Sequence, residues 1–161
     1  MSNKILSVGK AIKISKQLKT KGEKIVLAGG CFDILHLGHI NFIKKAKEQG
    51  DVLILLLESD QSIREKKGEE RPINNQQVRA QILAAIIYVD YVVLLPKLEN
   101  KDYDAIISSI SPAIIATTEG DLQRTHKERQ GKIIGAVVVD VISTITDTSA
   151  TKIANILSKE L

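Results

Sequence analysis

Residues 52–57, Val-Leu-Ile-Leu-Leu-Leu, are apolar at every position. A strand with one wet face alternates apolar and polar side chains, so an unbroken run this short points to a parallel strand covered on both faces. Parallel neighbours need crossover connections, and helices are what usually supply them. The flanking sequence has the matching periodicities. Val8, Ala11, Ile12, Ser15 and Leu18 fall at helical spacing, with Gly22 placed to end the helix. Residues 24–28 form a short apolar strand that stops at Gly29-Gly30, and Ile40, Ile43 and Ala46 begin a second amphipathic helix ending near Gly50.

Past the central strand, the charged stretch 58–72 reads as a long loop, of a length that is usually functional or disordered. Asn74 or Asn75 can cap a helix carrying Val78, Ile82, Leu83 and Ile86, and residues 91–95 make a strand closed by Pro96. A helix over 104–110, a strand over 113–116, a weaker helix over 122–129, a strand over 135–141 and a terminal helix over 150–161 complete the pattern. The expected class is α/β: one domain over 1–161, built on a doubly wound, mainly parallel five-stranded sheet with helices on both faces. Ligands of such sheets sit at the carboxyl ends of the strands.

The bulk properties exclude some partners. Lysine and arginine number 23 against 19 acidic residues, a net charge of +4 that suits a nucleotide or sugar phosphate without requiring nucleic acid. Aromatic content of 3% with no tryptophan offers few platforms for stacking bases, which argues against a single-strand binder. The sole cysteine, Cys31, cannot pair within the chain, and no leader-like or membrane-spanning apolar stretch is seen, so a reducing cytoplasm without a membrane partner is expected.

Neither a G-x-G-x-x-G turn nor a Walker A loop is present. The first strand runs instead into Gly29-Gly30-Cys31-Phe32-Asp33-Ile34-Leu35-His36-Leu37-Gly38-His39, with a helix starting at or beside Gly38. A helix N-terminus offers free N–H groups and a positive dipole end to an anion. His36 and His39 add side-chain donors about one turn apart, and Gly38 keeps the backbone open between them. The same histidines with Cys31 could instead hold zinc, but only His126 remains as a further ligand; Cys31 as nucleophile has no adjacent cation in sequence.

With Glu58-Ser59-Asp60, Lys67-Gly68 and Arg71-Pro72-Ile73-Asn74 added, the glycine and histidine turn resembles the cytidylyltransferase-like nucleotidyltransferases, nearest to the adenylyltransferase domains of ADP-heptose synthases. The resemblance implies a Rossmann-like fold and, as substrates, a nucleoside triphosphate with magnesium and a phosphorylated small molecule. It implies transfer of AMP from ATP to a heptose 1-phosphate-like acceptor, catalytic roles for His36, His39, Lys67 and Arg79, and self-association. The nucleotide is then expected on Gly29, Gly30, Cys31, Phe32, Asp33, Gly38 and the two histidines. The late Ser149-Ala150-Thr151 pattern, matching a family helix cap, adds Ser149 and Thr151. Acceptor contacts are expected from Asp60, Arg71, Gly120 and Asp121.

Two departures leave other readings open. Thr118-Glu119-Gly120-Asp121 stands where the heptose family has Lys-Gly-Gly-Asp, and Ala150 replaces a threonine. A CTP-dependent glycerol-3-phosphate cytidylyltransferase or an FAD synthetase-like enzyme shares the histidine motif, and a nucleotide-binding regulator with weak turnover fits the same departures.

Overall fold

The computed structural model describes residues 3–143. Among these residues, six strands and six helices follow one another, alternating except for the consecutive α3 and α4: β1 (Ile5–Ser7), α1 (Val8–Thr20), β2 (Ile25–Gly30), α2 (Leu37–Lys47), β3 (Val52–Leu57), α3 (Asp60–Lys67), α4 (Gln76–Ala84), β4 (Tyr91–Leu94), α5 (Asn100–Ile110), β5 (Ile114–Thr118), α6 (Arg124–Ile134) and β6 (Val137–Ile142). The sheet order is β1-β4-β3-β2-β5-β6 and every pairing is parallel.

All six residues of β3 are buried, and they alternate between two cores. Leu53, Leu55 and Leu57 pack with Ile43 and Ala46 of α2 and Ala80 and Leu83 of α4. Ile54 and Leu56 pack with Ala11 of α1 and with Ile106, Ile107 and Ile110 of α5 on the opposite face. The α/β class, doubly wound with helices on both faces, is the one the sequence pattern led us to expect. Chain direction across the sheet reverses at β2: one neighbour is β3 and the other β5. Such a reversal opens a crevice at the carboxyl ends of those two strands.

Three expectations are corrected or fall outside view. The sheet has six strands rather than five, because the edge is extended by β1, whose three residues bury only Leu6 and are too short to show a period. Residues 58–72 are not one loop: α3 occupies Asp60–Lys67, with the Ser59 hydroxyl accepting from the Ser62 N–H at 3.2 Å. Its single apolar residue, Ile63, is fully buried, and one position carries no periodicity. The expected helix over 150–161, with Ser149 and Thr151, lies outside the described residues. Among those described, no helix is long and apolar enough to cross a membrane.

Candidate functional site

At the end of β2 the chain turns through Phe32, which adopts a left-handed conformation with φ of 45°. Non-glycine residues pay for that conformation and hold it only where the surroundings fix them. Here Asp33 does much of the fixing. Its carboxylate is 1% exposed and accepts from Arg71 Nε at 2.8 Å and from the backbone N–H groups of Ile73 and Asn74 at 3.0 Å each. The run Arg71-Pro72-Ile73-Asn74 is thereby pinned to the turn.

Arg79 lies beneath this junction with no exposure at all. Its guanidinium donates to the carbonyls of Asn74 (2.9 Å), Cys31 (2.5 Å) and Glu58 (2.9 Å) and to Asp60 Oδ1 at 2.7 Å. A planar fork with five donors is suited to joining several carbonyls at once. One side chain thus ties the ends of β2 and β3 to the starts of α3 and α4. Gln76 adds a second tie, donating to the carbonyls of Leu57 at 3.0 Å and Leu95 at 2.8 Å.

His36 is the N-cap of α2, and its Nδ1 accepts from the Gly38 N–H at 3.1 Å. His39 Nδ1 accepts in turn from the His36 N–H at 3.4 Å. A ring nitrogen that accepts carries no proton, so each neutral imidazole must hold its hydrogen on Nε2. The rings lie 4.0 Å apart between centroids, and Phe32 backs His39 at 5.6 Å. Burial lowers the pKa of His36, and burial together with the nearby His36 and Lys67 lowers His39 to about 4. Both are therefore neutral Nε2–H donors at neutral pH.

These donors line a cleft of about 510 Å³ on the α2 side of the sheet end. The cleft brings together His36, His39, Lys67 and the backbone from Gly29 to Asp33 and at Gly38. Gly120 and Asp121 close it from the β5 side. No carboxylate pairs with Lys67 among the described residues. Arg79, Asp60 and Arg71 do not line it: their charges are spent on one another and on Asp33. Burial pushes the Cys31 thiol up, and Lys67 offsets this only in part, so the sulfur stays protonated at neutral pH. Among the described residues no group of His, Cys, Asp and Glu is gathered to hold a metal ion.

Sequence reasoning missed Lys127. It reaches back from α6 to donate to Thr117 Oγ1 at 2.9 Å and Asp121 Oδ2 at 2.5 Å. Burial works against the Asp121 carboxylate, yet hydrogen bonds from Lys127 and Thr117 outweigh it and hold the carboxyl below its ordinary value. No sequence signal marked it, because the buried residues one turn further along α6, Gln130 and Gly131, are not apolar side chains that would declare a core-facing side.

A family model described as cytidylyltransferase-like matches residues 27–157, which include the whole of this turn, both histidines and Lys67. The chain belongs to the cytidylyltransferase-like family. The bifunctional protein HldE of Wolinella succinogenes is 47% identical over 112 residues, covering 70% of this chain and 23% of that protein. HldE of Campylobacter fetus subsp. fetus is 34% identical over 157 residues, covering 97% and 31%. This cytidylyltransferase-like chain therefore spans about a quarter to a third of the length of these curated relatives.

Among solved structures, the lipopolysaccharide core biosynthesis protein of Thermoplasma volcanium aligns with a TM-score of 0.61 at 27% identity, over 77% of this chain and 98% of that one. Pantoate-beta-alanine ligase of Francisella tularensis, solved with beta-gamma ATP and beta-alanine, aligns at 0.64 over 96% and 77%, and at 20% identity it shows the fold alone. The expected enzyme class, nucleotidyltransferase of the cytidylyltransferase-like kind, stands.

Proposed function

We propose that the chain transfers AMP from ATP to a phosphorylated sugar of the heptose 1-phosphate kind, releasing pyrophosphate. The observation that carries this reading is the convergence on one cleft of donors that have no partner among the described residues, the Nε2–H groups of His36 and His39 and the Lys67 ammonium, at the positive dipole end of α2. Such a set suits a triphosphate, and donors preorganised in a partly buried site cost nothing to reorient when charge develops. The choice of ATP and of a sugar phosphate leans on the likeness to the HldE proteins.

The acceptor phosphate is anionic near neutral pH, so no protein nucleophile is needed. Its oxygen attacks the α-phosphorus in line, the α–β bridging bond breaks, and the electron pair leaves with pyrophosphate. Magnesium enters with the triphosphate as part of the substrate. Asp33, the nearest carboxylate of the turn, has both oxygens committed to Arg71, Ile73 and Asn74. The chain's own contribution is therefore positioning and charge stabilisation.

Self-association would draw on α4 and the residues after it, where Val78, Ile82 and Ile87 are exposed, whereas Val92 and Val93 of β4 are wholly buried in the core. The test of function is pyrophosphate release with magnesium, crossing ATP and CTP against heptose 1-phosphate, glycerol 3-phosphate and FMN. Turnover is expected for ATP with the heptose phosphate. Turnover only with CTP and glycerol 3-phosphate would replace this reading by the cytidylyltransferase one, and triphosphate binding without turnover would favour a regulator.

A further inference from the structure

Beside the first cleft lies a second, of about 390 Å³, on the α5–α6 side of the same sheet end, where Tyr103 donates to Glu58 Oε2 at 2.7 Å. Gly29, Gly30, Cys31, Asp121 and Lys127 line both, so they form a shared wall. On the β2 side that wall is low. A Cβ at Gly29 would meet nothing nearer than 3.7 Å, so the protein itself has no steric need of glycine there, and the bare backbone leaves room for a ligand reaching from one cleft to the other. On the β5 side the wall carries Lys127, which among the described residues is the one basic side chain lining both clefts.

Local structure holds this lysine in place. The register of β5 against β6 slips between Thr117 and Thr118, an irregularity of the kind that re-aims a side chain. Thr117 is fully buried, and beyond it the chain reverses through Gly120, with φ of 75°, and a bond from the Asp121 N–H to the Thr118 carbonyl at 3.1 Å. Asp121 thus returns to Thr117, whose hydroxyl donates to its Oδ2 at 2.6 Å, while Oδ1 accepts from the Gln123 N–H at 2.9 Å. Lys127 completes a triangle with Thr117 Oγ1 and Asp121 Oδ2. An ammonium has three N–H groups, so one donor is left for a ligand. Two other cations of the second cleft stand off the shared wall: Lys66 lies 3.5 Å from Glu58, and Arg129 is forked onto Asp104 at 2.8 and 2.9 Å.

We propose that Lys127 is a catalytic residue of the transfer, the cation that meets the non-bridging oxygens of the α-phosphoryl group, and that Asp121 and Thr117 are its positioning residues. This rests on the transfer reading above. With the outer phosphates on His36, His39 and Lys67, the α-phosphorus must stand where an acceptor oxygen can approach opposite the departing pyrophosphate, which is at the wall between the clefts. The acceptor oxygen bonds to the α-phosphorus, the α–β bridging bond breaks, and its electron pair leaves with pyrophosphate; no proton moves. Two anions are pressed together at that stage, and a fixed ammonium beside the α-phosphoryl oxygens stabilises it more than it stabilises bound ATP. The Asp121 carboxylate keeps the ammonium in place and repels a phosphate that strays toward the β5 turn.

Two measurements on the full chain test this. Lys127→Met removes the ammonium outright, and Lys127→Gln removes the charge while keeping an amide donor for Asp121, so at least one is expected to keep the wild-type melting temperature. In the first measurement pyrophosphate release is followed with ATP and with the two forms of ATP that carry sulfur at one or the other non-bridging α-oxygen. Loss of the charge should lower kcat about a hundredfold, the scale of one lost donor to a reacting oxygen, while the KM for ATP rises no more than about tenfold. Wild type should favour one sulfur form over the other, and that preference should shrink in both variants and return in part with Lys127→Arg. A lowered kcat with the preference intact would mean that Lys127 acts through the fold alone, and a change confined to the KM for ATP would move it to the outer phosphates; either result overturns the proposal. The second measurement needs no turnover: phosphorus NMR of ATP bound with magnesium to each protein. The α-resonance should move between wild type and the variants, with the β- and γ-resonances in place. A moved α-resonance in a chain that releases no pyrophosphate with any acceptor would overturn transfer, and with it the catalytic role, while keeping the contact. An unmoved one would overturn the contact whatever the turnover.

Discussion

Two clusters of hydrogen-bond-donating basic side chains stand in one half of the chain, and they do opposite work. Arg71 and Arg79 are anchored by acceptors: Asp33 takes Arg71 Nε, whose Nη2 is buried with no partner among the described residues, while Asp60 and three backbone carbonyls hold Arg79. His36, His39 and Lys67 face an open cleft, with only backbone N–H groups bonded to the inner ring nitrogens. The first cluster is turned inward and acts as scaffold. The second is open, and on the proposed function it is the part that meets the triphosphate. Residue type alone does not separate them; the presence of a buried carboxylate partner does.

The sharpest way to break this contrast is Arg79→Ala. It would leave the carbonyls of Cys31, Glu58 and Asn74 without their donor and Asp60 without its cation, and breaking a buried pair costs about 3–5 kcal/mol. We expect a loss of that size in denaturant unfolding, with Arg79→Lys recovering only part because an ammonium cannot fork to the same acceptors. A melting curve identical to wild type would show that Arg79 is not scaffold. His39→Ala should behave the other way round, lowering turnover by about a hundredfold or more while the unfolding midpoint moves little.

What could be read in advance follows the same division. The apolar run of β3, the glycine turn and the histidine-led start of α2 are local patterns, and each is where the sequence placed it. The α3 helix was hidden because one buried residue, Ile63, carries its whole hydrophobic signal. Lys127, Tyr103 and Glu58 meet only through tertiary packing of α5 and α6 onto the sheet, so no spacing announces them. Arg79 was expected on the phosphates from a resemblance of position, and no pattern along the chain reveals that the ends of two strands surround it.

Lys67→Met sharpens the open side further. Among the described residues Lys67 has no carboxylate partner, so removing its charge should leave stability nearly unchanged. The loss of one charge-assisted contact to a phosphate should raise the KM for ATP about tenfold. Titration of ATP at two salt concentrations would test this: the wild type should weaken with salt more steeply than the variant. Equal salt slopes would place Lys67 away from the phosphates.

The smallest effect expected is the most specific to the open cluster. His39 has a folded pKa of about 4 against an ordinary value of 6.5, lowered by burial first and then by the nearby His36 and Lys67. Between those values the unfolded chain binds more protons than the folded one, so stability is fully present above about pH 6.5 and is lost as pH falls toward 4. His39→Gln should flatten that part of the acid limb in unfolding experiments from pH 7 to pH 4. A bound triphosphate reverses the balance, because phosphate charge favours the protonated ring. ATP binding near pH 5.5 should then take up protons, seen as a binding enthalpy that changes with the ionisation enthalpy of the buffer, and the uptake should shrink in His39→Gln. Buffer-independent enthalpy in the wild type would mean that the phosphates do not reach His39, and the open cluster would need another anion to explain donors that have no partner among the described residues.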